Sequence, residues 1–468
     1  MTCAVYGTRY VLLDSWWYYQ GEGSGVTNWI GRPDIFPHGN EYLRNQTGWP
    51  IMGHNRFWAV DNVYCKQNGG DYDFVVEKRG DAPDFNNFAW PTEQRFWDDL
   101  LYNSSKWGLF MYEQDWLDTE YDNVAYLNKN ASAARTWLLQ MGTAAARNDL
   151  TIQYCMSHCR HIMQSVEIPA VTNARASGDY HPGGDQWAPL GTTGIFAWAV
   201  AIAPTKDNYW STDRQTGSSY KDYATVSEPY NRLQAAVSTL SKGPVAPSDK
   251  INASDPQLIL KSCKSDGQLL QGDKPAMVLD SQHAARAFSG AAHSEIWTTQ
   301  TVLDGHAFAV VLGATVGSDT TVGITADLQL PKDTKHVAYE ANATSAVMGD
   351  PAVGLTNLVI KACGKWDFQH YTVSPVLGNG WSLLGEQSKW VPVSAARFHG
   401  LSWWSETGTG VPEGASVIAT GPEGEAIEVA WLAPGSRTPI VVQCTIPRGD
   451  AVRVKVVTGD SKGVCEQV

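Results

Sequence analysis

Seven short apolar runs punctuate the first part of the chain, at residues 10–13, 50–53, 108–112, 151–155, 170–174, 195–203 and 244–246. Turn-forming residues bound them, so each reads as a buried strand. Between them, residues 93–102, 131–146 and 228–240 repeat apolar positions at helical spacing. Strands alternating with helices imply parallel βα units, because a crossover helix returns the chain to the end from which the next strand starts. That many units predicts an α/β fold of the TIM (β/α)8 type. Counting gives seven runs where eight strands are needed.

The texture changes near residue 290. Residues 306–314, 320–328, 357–362, 415–419, 426–432, 439–444 and 451–457 alternate apolar and polar positions between Gly, Pro and Asp turns, which predicts an antiparallel β-sandwich. The expected organisation is a barrel over 1–289 and a C-terminal sandwich over 290–468.

Composition narrows the function. Hydrophobic residues make up 43% and charged residues 18% of 468 positions, which suits a well-packed globular chain. With 35 basic against 48 acidic residues the net charge is −13, which argues against a partner bound through its phosphates. No nucleic-acid partner is expected. The apolar stretch 187–204 contains Gly191, Thr192, Thr193 and Gly194, is too dilute for a membrane span, and reads as a barrel strand. The first ten residues lack the pattern of a signal peptide. Five N-x-[ST] sequons, at Asn45, Asn103, Asn130, Asn252 and Asn342, exceed the roughly three expected by chance, and eight cysteines permit an oxidising compartment. A secreted or secretory-pathway glycoprotein is the expectation.

Twenty tryptophans are unusual, and thirteen precede Ser211. They build either a large aromatic core or a cleft in which indole faces cover the C–H patches of sugar rings. Trp16, Trp17, Trp116 and Trp187 stand beside polar or acidic residues just after apolar runs, which favours the cleft and a carbohydrate substrate.

In a parallel barrel the site lies at the C-terminal strand ends. Asp14, Asp115 and Asp179 close or follow apolar runs there. Glycoside hydrolysis needs two carboxyl groups, one to protonate the leaving oxygen and one to act on the anomeric carbon, and Asp115 with Asp179 supplies that pair. Arg175, Ser177 and Asp179, at i, i+2 and i+4 of an extended run, are expected to project to one side. His54, Asn55 and Arg56 follow the second run and are candidates to line subsites, with a packing role the alternative for His54. Cys155, His158, Cys159 and His161 crowd another strand end without a second distant pair, so no metal is assigned. Ser-nucleophile elbows, P-loops and dinucleotide fingerprints are absent from the sequence, leaving hydrolytic chemistry with no cofactor.

Three segments in order, Cys155-Met156-Ser157-His158, Ala174-Arg175-Ala176-Ser177-Gly178-Asp179-Tyr180-His181-Pro182 and Gly243-Pro244-Val245-Ala246-Pro247-Ser248-Asp249-Lys250, resemble successive barrel segments of glycoside hydrolase family 36 of clan D. The likeness looks nearest to the raffinose-synthase and alkaline α-galactosidase branch and covers roughly residues 10–297. It implies a retaining α-glycosidase or a related transglycosylase, with Asp115 matching the nucleophile and Asp179 the acid/base. By the same resemblance Arg175 and Asp14 match residues that bind sugar hydroxyls, and the matched segments begin at the second barrel strand, so a first βα unit is expected to be missing and the chain to be incomplete at its N-terminus. The candidate substrate-binding set also takes in Trp17, His54, Arg56, Glu113, Trp116, His158 and Trp187.

Two departures follow. Asp14 precedes Ser15 where the family has consecutive aspartates, and Glu113 stands where it has Lys. Residues i and i+2 of a strand share a face, so Glu113 is expected near Asp115, with one of the two pKa values raised unless a base pairs with them. The alternative is a carbohydrate-binding homologue that has lost the chemistry.

Overall fold

The computed structural model describes residues 9–78, 87–216, 226–289, 294–340, 354–364, 367–406 and 411–468. The chain divides into two compact units, one of residues 8–175 with 197–203, the other of 176–196 with 204–468.

The first unit is organised by a parallel sheet. Its strands are β1 (Val11–Leu13), β2 (Ile51–Asn55), β3 (Leu109–Gln114), β4 (Thr151–Tyr154) and β5 (Val171–Arg175), paired in that order and all parallel. A short β6 (Ala203–Thr205) follows at the edge. Among the described residues the sheet therefore has six strands in an open array rather than a closed ring of eight. Every residue of β2 is buried, which is why these strands read as continuous apolar runs. Helices Gln94–Lys106 and Ala133–Arg147 occupy the predicted helical segments. They bury Phe96, Trp97, Leu100 and Leu101 on one, and Trp137, Leu138, Met141 and Ala144 on the other. Gly142 lets the second helix pack closely, since a Cβ there would lie 2.1 Å from Ile168 Cγ2.

Two expected strands are absent. Residues 195–203 do not form one; the apolar stretch is instead the helix Leu190–Ala199 followed by β6. Pro189 stands just before that helix, where its fixed φ favours a helical start, and its carbonyl accepts from Thr192 and Thr193. Residues 244–246 are irregular, and the adjacent Pro247 makes an isolated bridge to Tyr209.

In the second unit, helices Asn231–Leu240, Pro256–Leu260 and Asp280–Ser289 precede a run of antiparallel strands. A five-stranded sheet is ordered Met277–Val278, Glu295–Leu303, His306–Ala314, Phe368–Pro375, His336–Glu340. The predicted strand 320–328 stops at Gly323, where Asp327 Oδ2 accepts from the Gly323 N–H at 2.7 Å and turns the chain. Two last sheets close the chain. Ser382–Gly385, Ala426–Leu432 and Ile440–Thr445 form one, and Phe398–Trp404, Gly414–Thr420, Ala451–Val457 and Val464–Gln467 the other. Trp381, Leu383, Val417, Val429, Trp431 and Val454 from both form a single core, the packing of a sandwich. Arg397 is wholly buried and bridges Glu386 at 2.6 Å and Glu425 at 2.7 Å. Cys444 and Cys465 form a disulfide.

Candidate active site

The C-terminal ends of β1 to β5 bring a set of polar side chains together in the first unit. Asp14 follows β1, His54 and Asn55 end β2, Glu113 and Gln114 end β3, Gln153 and Tyr154 end β4, and Arg175 ends β5. Asp115 continues the ladder past β3, its N–H donating to the Asn55 carbonyl at 2.9 Å. The register sets His54 opposite Glu113 and Glu113 opposite Gln153. In strands otherwise built from apolar residues, these polar positions mark the lined end of the sheet.

His54 is the hub. Its Nε2 lies 3.1 Å from Asp115 Oδ2 and 3.7 Å from Asp14 Oδ1, and its Nδ1 meets the Tyr18 hydroxyl at 3.1 Å. Burial opposes a charge on the ring, but the hydrogen bond to Asp115 and the charges of Asp14, Asp115 and Glu113 prevail and push His54 up to about 9. It is therefore an imidazolium at neutral pH and donates to Asp115. Asp115 is 14% exposed in its side chain. Burial works to raise its pKa; His54, the Cys155 thiol and the Trp116 N–H together hold it below the usual carboxylate range. The Trp116 N–H donates to Asp115 Oδ1 at 2.8 Å. Trp116 itself adopts a left-handed backbone, φ 57°, which is uncommon for a bulky residue.

Glu113 is pushed the other way. Burial raises its pKa, His54 and Arg175 counter it, and the charges of Asp115 and Asp14 add to the rise, leaving it at about 7. The expected crowding of Glu113 and Asp115 is thus present, with His54 as the base that pairs with Asp115. Glu113 Oε1 accepts from Gln153 Nε2 at 2.7 Å, and Gln153 accepts in turn from Asn173 at 3.0 Å.

The other candidates fall in different places. Arg56 lies 4.9 Å above the Trp116 ring, a cation on an aromatic face beside Asp115. Asp14 is open to solvent, with a side chain 60% exposed. Trp17 does not face a cleft: it is fully buried among Tyr18, Trp29 and Trp107, so the core reading of tryptophan holds there. Trp187 is likewise buried in the second unit, edge-on to Trp297. His158 precedes the helix Cys159–Gln164, pairs with Asp122 at 3.0 Å and stacks on His161. Asp179 lies on an exposed loop of the second unit. The extended run expected to align Arg175, Ser177 and Asp179 ends at Arg175. Beyond it Ser177 Oγ accepts from the Asp207 N–H at 2.9 Å, and Asp207 Oδ2 accepts from the Tyr180 N–H at 2.6 Å, fixing the loop that carries Asp179.

Tyr18, Cys155 as a thiol donor, and the Gln153–Asn173 pair belong to the site and were not singled out for these parts. The available signal was polar residues inside apolar strand runs. Among the described residues no group of His, Cys, Asp or Glu is arranged to hold a metal ion, and no helix is long and apolar enough to cross a membrane.

No family model matches the chain, and no curated protein matches it significantly. Among solved structures, a GH27 β-L-arabinopyranosidase from Geobacillus stearothermophilus is similar in fold, with a TM-score of 0.56 at 13% identity, covering 80% of this chain and 89% of that one. A variant of that enzyme in complex with arabinose gives 0.55 at 13% identity, over 80% and 90% of the two chains. An α-galactosidase from Thermus thermophilus in complex with stachyose gives 0.36 at 15% identity, over 52% and 54%. The chain thus shares the fold of the arabinopyranosidase.

Proposed function

We propose that the chain is a retaining glycosidase of the clan D kind, with Asp115 as nucleophile. One observation carries the reading: the buried carboxyl group of Asp115, 3.1 Å from the Nε2 of His54, at the C-terminal edge of a parallel sheet. In the first step an Asp115 oxygen bonds to the anomeric carbon as the glycosidic C–O bond breaks, and a general acid gives its proton to the leaving oxygen. In the second, the conjugate base of that acid takes a proton from water, the water oxygen bonds to the anomeric carbon, and the ester bond breaks to return the Asp115 carboxylate. His54 orients Asp115 and balances its charge. Asp14 and Arg175 are proposed to bind sugar hydroxyls, and the Arg56–Trp116 stack to border the subsite.

The sugar is proposed to be an α-galactoside or a β-L-arabinopyranoside. The two rings have the same configuration and differ by one hydroxymethyl group, so a site for one bears directly on the other. Capture of the glycosyl-enzyme by a sugar hydroxyl would give transfer by the same residues. Residence in the secretory pathway is part of the proposal, supported by the Cys444–Cys465 disulfide.

Aryl α-galactosides and aryl β-L-arabinopyranosides test the reading. Turnover is expected with retained anomeric configuration, seen by proton NMR. Asp115→Asn should abolish it, by at least about 10³-fold. Asp179→Asn should spare activated aryl leaving groups more than poor ones, because they need little protonation. Unchanged turnover in Asp115→Asn removes the assignment, and saturable sugar binding without turnover in the native chain assigns a binding role instead.

A further inference from the structure

Tyr18 lies between β1 and the short strand Tyr19–Gln20 and is wholly buried. Its neighbours fix the backbone there: the Trp17 N–H donates to the Asp14 carbonyl at 3.4 Å, and the Trp17 carbonyl accepts from the Arg32 N–H at 3.0 Å. The Tyr18 ring packs edge-on against Trp17. It is inclined by only 6° to the His54 ring, and its hydroxyl lies 3.1 Å from Nδ1. From the other ring nitrogen, Nε2 reaches Asp115 Oδ2 at 3.1 Å, and Trp29 Nε1 donates to the His54 carbonyl at 2.8 Å. Tyr18, His54 and Asp115 therefore form one hydrogen-bonded chain. Among the described residues Nδ1 has no hydrogen-bond partner besides Tyr18, and His54 is 4% exposed, so solvent is a poor substitute.

A phenol both donates and accepts. It accepts from Nδ1–H when the ring is an imidazolium and donates to bare Nδ1 when the ring is neutral. In either state Nε2 carries a hydrogen toward Asp115. An imidazole turned over about its Cβ–Cγ bond would set carbon atoms against both oxygens and leave them short of a partner. The charged groups facing His54 are Asp14 beyond β1 and Glu113 and Asp115 at the end of β3, while Arg56 beyond β2 faces Tyr18. We infer that Tyr18 is a positioning residue, whose hydroxyl holds the His54 ring with Nε2–H aimed at Asp115. That Asp115 is the group so served in catalysis rests on the glycosidase reading; the hold on the ring does not.

The experiment follows the His54 ring by heteronuclear NMR of the full chain, its signals assigned by their loss in His54→Asn, beside rates on an activated aryl glycoside. Tyr18→Phe keeps the buried ring and removes one oxygen. An imidazolium loses more from a missing hydrogen-bond partner than a neutral ring does, so the His54 pKa is expected to fall from about 9 by about 1 unit. Turnover number should drop about tenfold with KM unchanged, because the change is in the aim of Asp115. A ring-fluorinated tyrosine at position 18 is the milder probe: it weakens the oxygen as an acceptor and strengthens it as a donor, so the pKa should move the same way by less, with the fold kept. A His54 pKa unmoved in both variants, or a turnover number equal to wild type in Tyr18→Phe, overturns the inference. A lowered pKa in a chain that turns over no aryl glycoside defeats only the glycosidase reading.

Discussion

Asp115 keeps its charge in a buried setting because three donors outweigh burial: the His54 ring, the Cys155 thiol and the Trp116 N–H. Take away the ring charge and the carboxylate stands beside Glu113 and Asp14 with less to oppose them. His54→Asn is therefore expected to move the acid limb of the pH–activity profile upward by about 1–2 units and to lower turnover at neutral pH about 100-fold, read from rates on an activated aryl glycoside. Stability gives an independent reading. The folded-state pKa of His54 is raised from 6.5 to about 9, so the stability contributed by its charge is fully present below 6.5 and lost as pH rises through about 9. Wild-type Tm should fall over that window by more than the Tm of His54→Asn. At this scale strand ends were informative: Asp14, His54, Glu113 and Asp115 meet because each closes an apolar run. Tryptophan was not, since an indole beside polar neighbours in sequence can turn inward, as Trp17 and Trp187 do.

The helix Leu190–Ala199 shows where pattern reading runs out for an element. Its sequence, Leu-Gly-Thr-Thr-Gly-Ile-Phe-Ala-Trp-Ala, is apolar nearly all round and carries little amphipathic signal, so helix and buried strand cannot be separated by period. Packing explains its glycine. A Cβ on Gly191 would lie 2.3 Å from the Trp297 indole nitrogen, and that ring is fully buried against Trp187. Gly191→Ala is expected to destabilise by about 1–3 kcal/mol through overpacking, despite the better helix propensity of Ala; a urea midpoint shifted upward would contradict this. Helices Gln94–Lys106 and Ala133–Arg147 were legible because each carries a clear apolar stripe.

For the whole molecule, the change from parallel βα units to antiparallel strands was legible because side-chain period changes from near 3.6 to 2. The strand count of the parallel sheet was not, as the segments at 195–203 and 244–246 took other forms. The sandwich is tied near its end by the Cys444–Cys465 disulfide, 21 residues apart. Cys465→Ala is expected to lower stability by about 3 kcal/mol, and a reductant should lower the Tm of the native chain while leaving the variant unmoved.

The ladder between β2, β3 and β4 carries one more consequence. His54, Glu113 and Gln153 align only because three strands keep step, and Glu113 with Asp115 faces the same way only because they are two positions apart. Insertion or deletion of a single residue within Leu109–Gln114 would rotate that edge by half a period and present Tyr112 and Gln114 in place of the acids. Redesign of this site must leave strand lengths untouched and draw its variety from the segments past the strand tips.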